Sequence, residues 1–231
     1  METPFKPLEQ TIDVFFQNKE LLKNVFIHRS FLNEHNDAAI ISNEKLEFLG
    51  DSVLSLATSM YLYDQYPLLQ EGDFTDIKAA IVRTESLAEV AETLELGNYL
   101  FLSHGEEKGG GRTKTNILAD VCEALIAAIF LDQGFDKAYQ FIERFLFKTK
   151  LDHIIKNKLY LSPKSRLQEI TQAIYKDLPV YELEEASGPE HKKTFMVNVR
   201  INGDLKGKGV GKSKKQAEEH AAQIALELLQ K

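Results

Sequence analysis

The sequence has few of the features that usually mark a catalytic centre. It contains one cysteine, Cys122, which excludes an internal disulfide framework and any multi-cysteine zinc site and fits a reducing compartment. Its six histidines are scattered, with no HExxH or paired-histidine spacing, so zinc chemistry is disfavoured. The longest apolar run is the eight residues Ala124 to Leu131, too short to cross a bilayer. The start, METPFKPLEQTIDVFFQNKE, carries acids where a signal peptide needs an apolar stretch. Internal repeats and low-complexity tracts are also missing. These absences point to a cytoplasmic globular protein with no membrane partner.

What is present is charge, unevenly placed. The formal net charge is −7 over 231 residues, of which 43% are hydrophobic, enough for one large domain or two smaller ones. Residues 1 to 160 carry 16 Lys and Arg against 25 Asp and Glu, whereas residues 161 to 231 carry 12 against 10. Such asymmetry suggests a division of labour along the chain.

The patterning changes at the same place. Up to residue 156, apolar residues recur at spacings of three and four and predict helices near 8–16, 19–28, 43–64, 74–94, 116–131 and 135–156. Turn signals such as QYPLLQEGD, ELGN and LDQGFD separate them. A connector over 157–161 leads to Ser162 and Pro163, an N-cap followed by a first-turn proline. From there the order is a helix (KSRLQEITQAIYKD), three strands (VYELEEAS, TFMVNVRING, DLKGKGVGKS) and a long amphipathic helix with Ser213 as its N-cap. The expected fold is mainly α: an all-helical domain over 1–156, then a small α+β domain over 162–231 with an antiparallel meander and both helices on one face.

Two helical stretches carry acids in unfavourable company. In NEKLEFLGDS, Glu44, Glu47 and Asp51 are spaced by three and four and share one helical stripe, where like charges repel. Leu46, Phe48, Leu49, Val53, Leu54 and Leu56 make this an improbable solvated face. Gly50 in mid-helix costs about 1 kcal/mol unless something packs closely on it. In NILADVCEALIAAIFLDQG, Asp120 and Glu123 are the only charges between Ile117 and Leu131, one turn apart on a helix apolar nearly all round. Buried carboxylates must be paired with cations, bound to metal or protonated. Arg29, Arg83 and Arg112 are available as salt-bridge partners. If the two helices pack together, four carboxylates converge, and hard oxygen donors suit Mg²⁺ or Mn²⁺. Carboxylate-held magnesium commonly serves phosphate-ester hydrolysis.

The C-terminal domain offers a decoy and a binding edge. GKGVGKS at 207–213 resembles a nucleotide-binding loop, but the glycine that the pattern needs at 206 is Lys206 and the preceding strand belongs to a meander, so no nucleotide cofactor is expected. Lys212, Lys214 and Lys215 gather at a helix N-terminus, where backbone N–H groups already favour phosphate. Gln168 and Glu169 on the first helix and GPEH at 188–191 supply two further polar edges, an arrangement suited to the two minor grooves and intervening phosphates of double-stranded RNA.

These motifs together resemble bacterial ribonuclease III over nearly the full length. NEKLEFLGDS is similar to that family's signature, ADVCEALIAAIFLDQG to its second acidic motif, and HRSFLNE at 28–34 to its early helix motif. Residues 162–231, ending GVGKSKKQAEEHAAQIAL, resemble a double-stranded-RNA-binding domain. The resemblance implies a homodimeric, Mg²⁺-dependent endonuclease, with Mn²⁺ able to substitute. It would cut both strands of an RNA duplex, leaving 5′-phosphate and 3′-hydroxyl ends with short 3′ overhangs, and would process ribosomal precursor and structured messenger RNAs. By motif position, Glu47, Asp51, Asp120 and Glu123 are the metal-binding catalytic tetrad, Glu44 sits at its rim, and Phe48 inserts into the partner subunit. Gln168, Glu169 and His191 face minor grooves, and Lys212, Lys214 and Lys215 face phosphates. Glu218 departs from the pattern, which often has a lysine there. GEEKGGGRTKTN at 105–116 is either a flexible surface loop or an RNA contact through Lys108, Arg112 and Lys114; His28 and Arg29 are assigned to packing or salt bridges. The rival readings are a non-catalytic RNA-binding or ribosome-assembly protein on the same fold, and a metal-dependent phosphatase or nucleotide hydrolase. Degenerate relatives of the first kind lose acids that are all filled here, and the second leaves the C-terminal domain without a purpose.

Overall fold

The computed structural model describes residues 4–35, 40–189 and 193–229. The chain divides into two compact units, Met1–Asn157 and Lys158–Lys231.

In the first unit α1 (Lys6–Ile12), α2 (Lys19–Val25) and α3 (Arg29–Leu32) precede the long α4 (Glu44–Gln65). Then come α5 (Glu71–Ile81), α6 (Thr84–Thr93), the short α7 (His104–Lys108), α8 (Thr115–Gln133), α9 (Phe135–Ile142) and α10 (Asp152–Lys156). The centre is the pair α4 and α8. Helix α8 buries residues on every side, including Val121, Leu125 and Ile129 at no exposure, because its sequence between the two acids and Leu131 is continuously apolar. Gly50 brings α4 against it: a Cβ at position 50 would lie 1.9 Å from the Glu123 carbonyl oxygen. The mid-helix glycine is thus explained by a backbone-to-backbone approach that no side chain permits.

Several boundaries differ from the periodicity. The stretch 74–94 is two helices, because Arg83 is extended (φ −65°, ψ 154°) between α5 and α6. Ile77, Ile81, Ala88 and Ala91 are buried at spacings that one straight helix would also satisfy, so the pattern runs through the break. Helix α1 stops at Ile12, where Asp13 adopts a left-handed conformation, and α2 stops at Val25, with His28 opening α3. The region 135–156 is helical throughout, but Glu143–Leu151 winds as a π-helix. Residues Ile27 and Phe101 form an isolated parallel bridge that ties the segment before α3 to the one before α7.

The second unit runs α11 (Pro163–Tyr175), β1 (Val180–Ser187), β2 (Thr194–Ile201), β3 (Asp204–Gly211) and α12 (Lys214–Leu229). The sheet is an antiparallel meander in the order β1-β2-β3. Asn202 and Gly203, at φ 51° and 81°, make the two-residue turn between β2 and β3. Leu167, Val199, Ile201, Ala221, Ala222, Ala225 and Leu226 form its core. Ser162 accepts from the Ser165 N–H, and Ser213 accepts from the Gln216 N–H at 3.2 Å, so both predicted caps operate. The glycines of GKGVGKS alternate on the strand face beneath α12. A Cβ at Gly207 would meet the Ala221 carbonyl oxygen at 2.4 Å, and one at Gly209 the Ala217 carbonyl oxygen at 2.2 Å. They are seats for a helix.

Replacing Gly50 by alanine should lower the stability of the first unit by about 3 kcal/mol or more, beyond ordinary helix-propensity gains, because α4 and α8 must separate. Urea unfolding of G50A against wild type measures this.

Candidate active site

Helices α4 and α8 each contribute acids to one place. Carboxylate oxygens of Glu47 from α4 and of Asp120 and Glu123 from α8 all lie within 4.8 Å of one another. Their side chains are half-buried at the junction that Gly50 closes. Asp51, one turn further along α4, is exposed and lies outside that trio, yet its charge is felt by Glu123. Glu44 is turned to the edge, where it faces Arg29 at 3.8 Å and accepts a hydrogen bond from Ser42 Oγ at 2.9 Å.

The arginines that could have neutralised the buried acids are engaged elsewhere. Arg29 faces Glu44, Arg83 faces Glu85 at 4.0 Å and Arg112 pairs with Glu107 at 2.6 Å. Among the described residues no salt bridge reaches Asp120 or Glu123. The consequence is visible in their proton affinities. Burial, then Asp51, Glu47 and Asp120, pushes Glu123 up to about 8. Burial raises Asp120, with Arg29 among the groups that oppose the shift, and burial with Asp120 and Glu44 raises Glu47. The set consists of hard oxygen donors with an unmet demand for positive charge, which fits Mg²⁺ or Mn²⁺.

Sequence reasoning missed how this site is anchored. Asn43, buried at the start of α4, makes no side-chain cap. Its Nδ2 donates to the Val25 carbonyl at 3.0 Å and its backbone N–H to the Ile27 carbonyl at 2.9 Å, fixing the first turn that carries Glu47. An Asn before an acid-rich helix start reads as a cap, so the pattern held no signal for this anchor. Asp132, near the end of α8, accepts the Gln17 and Asn18 N–H groups, each at 2.9 Å, and ties that end to the start of α2. His28 caps α3 through Nδ1, and burial holds its imidazole below the ordinary value. The 105–116 stretch is structured: it holds α7 and a 3₁₀ turn at Gly111–Thr113. Arg112 donates to the Gly97 carbonyl at 2.8 Å and Lys114 pairs with Glu106 at 2.5 Å.

Along α4 an apolar row faces solvent. Phe48 and Tyr63 are each 78% exposed, and Leu56 and Met60 lie between them at about half exposure. In the second unit Gln168 and Glu169 are exposed on α11, with Glu169 paired to Lys158. Lys212, Lys214 and Lys215 are exposed at the start of α12. Glu218 is paired with Lys164 at 2.5 Å, and the same ammonium stands 4.5 Å from the centre of the Tyr181 ring, so the acid that departs from the basic pattern has a local counter-charge. His191 lies outside the described residues. Among those residues no helix is long and apolar enough to cross a membrane.

Known proteins give the same two-part division. Residues 18–150 match the family described as Ribonuclease-III-like, and residues 163–229 match the double-stranded RNA binding motif. Ribonuclease 3 of Geobacillus sp. (strain WCH70) is 45% identical over 97% of this chain and 91% of its own. Ribonuclease 3 of Listeria welshimeri is 44% identical over 97% of both. Among solved structures, the nuclease domain of ribonuclease III from Campylobacter jejuni, described for flexibility in the region involved in dimer formation, is 38% identical with a TM-score of 0.59. It spans 63% of this chain and 98% of that one. A helical unit with a carboxylate cluster followed by a double-stranded-RNA-binding unit defines an endoribonuclease directed at RNA duplexes. The chain belongs to the ribonuclease III family.

The raised affinity of Glu123 for a proton sets a pH dependence. Between its ordinary value of 4.5 and about 8 the folded protein holds a proton that the unfolded chain has released, so stability without metal falls as pH rises through that window. Glu123→Gln removes the effect. In chelator the variant should exceed wild type by about 2 kcal/mol at pH 8.5, after allowance for solvent screening, and match it near pH 4. Urea unfolding at the two pH values measures the difference.

Proposed function

We propose that the protein is a Mg²⁺-dependent, homodimeric endonuclease that cuts both strands of double-stranded RNA. The products are 5′-phosphate and 3′-hydroxyl ends with short 3′ overhangs, and ribosomal precursor and structured messenger RNAs in the cytoplasm are its substrates. The observation that carries this reading is the meeting of Glu47, Asp120 and Glu123 across α4 and α8 in a chain that also holds an RNA-binding unit.

Glu47, Asp120 and Glu123 would hold the ion, with Asp51 completing the tetrad from the exposed side. When bound, the ion supplies positive charge to phosphoryl oxygens and increases the acidity of water. The residues of the chain do the rest. The trio's half-buried position keeps its acids close together and partly shielded from solvent, so that Glu123 holds a proton up to about 8 and would give it up to a bound divalent cation. Arg29 faces Glu44 at the rim, where the Glu44 charge still adds to the field that raises Glu47. Lys212, Lys214 and Lys215 grip phosphates and Gln168, Glu169 and His191 contact minor grooves, so duplex binding rests on the second unit, over 162–231, and cleavage on the first, over 1–156. No histidine base is needed.

The exposed row on α4 supports the dimer. Phe48, Leu56, Met60 and Tyr63 present large apolar surface beside the site, and Phe48 is the residue assigned to the partner subunit. Two copies place two sites on one duplex, one for each strand.

Incubation of a long RNA duplex with purified protein should give cleavage with Mg²⁺ and none in chelator. Glu123→Ala should bind the duplex and cleave it at least about 100-fold more slowly, as expected when a group acting in the transition state is lost. Absence of Mg²⁺-dependent cleavage by wild type would sink the enzyme reading. For the dimer, Phe48→Arg should shift the protein to monomer in sedimentation at micromolar concentration, and an unchanged dimer would refute the role of that face.

A further inference from the structure

The HRSFLNE motif meets the carboxylate site through Arg29 at its rim, and its first residues show a hydrogen-bond arrangement that defines a state of His28. The Ser30 backbone N–H donates to His28 Nδ1 at 3.2 Å, and the Ser30 hydroxyl lies 2.8 Å from the same nitrogen. A backbone N–H can only donate, so Nδ1 carries no proton and the neutral ring carries its hydrogen on Nε2. The hydroxyl of Ser30 also accepts from the Ser103 N–H at 3.1 Å, which leaves its hydrogen for Nδ1. Ser103 Oγ in turn accepts from the Glu106 N–H at 3.2 Å, and Glu106 pairs with Lys114 at 2.5 Å. A continuous chain of contacts therefore runs from the imidazole to the residue that precedes α8.

The ring lies in an open cavity of about 390 Å³ lined by His28, Arg29, Asn33, Glu106, Lys114 and Asn116 among others. Asn116 stands one turn before Asp120 on α8. Its lining carries the cations of Arg29 and Lys114 and the side-chain N–H groups of His28, Asn33 and Asn116, together with the Ser30 hydroxyl and the Glu106 carboxylate, which Lys114 neutralises at 2.5 Å. A surface of that kind receives an oxygen-rich anion next to a site that handles phosphate esters.

We propose that His28 is a binding residue for the RNA strand, locked by Ser30 and Ser103 as a neutral imidazole that donates its Nε2–H to a phosphate oxygen adjoining the cleaved bond. The inference rests on the endonuclease reading. It gives the motif a task without a histidine base: the proton on Nε2 is held in place and never transferred. Ser30 and Ser103 are positioning residues.

Two substitutions separate this role from the helix cap. Asn reaches as far as Nδ1 and can accept from Ser30 but has no Nε2–H. Gln reaches toward Nε2 with a donor but lacks the capping atom. Full-length wild type, His28→Asn and His28→Gln are compared in single-turnover cleavage of an RNA duplex across a Mg²⁺ titration. His28→Asn should cleave about tenfold or more slowly at saturating Mg²⁺, the effect of one hydrogen bond to a charged group. Its half-saturating Mg²⁺ should be unchanged, and His28→Gln should be faster than His28→Asn. The proposal is overturned by a His28→Asn variant that cleaves at the wild-type rate, by a His28→Gln variant no faster than it, or by a raised Mg²⁺ requirement that accounts for the loss. A wild-type protein that cleaves nothing overturns the endonuclease reading instead.

Discussion

The close approach of α4 to α8 at Gly50 is the constraint on which the rest of the first unit depends. A helix pair normally keeps its axes apart by the thickness of the side chains between them. Here the contact is a glycine Cα against the Glu123 peptide, so the two helices come near enough for acids on both to share one small volume. The same contact limits where the acids can go. Asp120 and Glu123 emerge from a helix whose other faces are buried, and Glu47 emerges one turn before the glycine. The charge repulsion that results is built into the backbone geometry and is relieved by a proton or a cation.

That geometry accounts for how much could be read from the sequence. The buried character of α8, the two acids on it and the anomaly of Gly50 each leave a local mark, because an apolar circumference and a misplaced glycine are visible one residue at a time. The meeting of the helices is a tertiary event, and it was legible only as a condition on their packing. The particular reach of each acid was not. Asp51 shares the stripe of Glu47 by helical spacing, yet it lies toward solvent, outside the trio.

Other features left no mark because two structures share one pattern. The break at Arg83 is hidden by a burial rhythm that a straight helix would share, and Asn43 is hidden because an anchoring amide and a capping amide are the same residue in the same place. The 105–116 stretch looks like a flexible loop in composition, with four glycines, but Gly97 and Gly111 allow close backbone approaches there, and ion pairs from Arg112 and Lys114 hold it. Turn-forming composition describes how a chain can bend. It does not say whether the bend is then held.

Strand β3 divides its residues by parity. At positions 207, 209 and 211 there is no side chain, and the backbone of α12 at its alanines, with Gln216 over Gly211, fills the space; the side chains of Lys206, Lys208 and Val210 stand at the positions between. A slip of one residue in the pairing of β3 with β2 would drive lysines into the seat of α12 and turn bare glycines to solvent. The helix could not dock on such a sheet. The seating of α12 and the register of β3 are therefore one requirement, and the lysines at the first turn of α12 hold their place only on a correctly paired sheet.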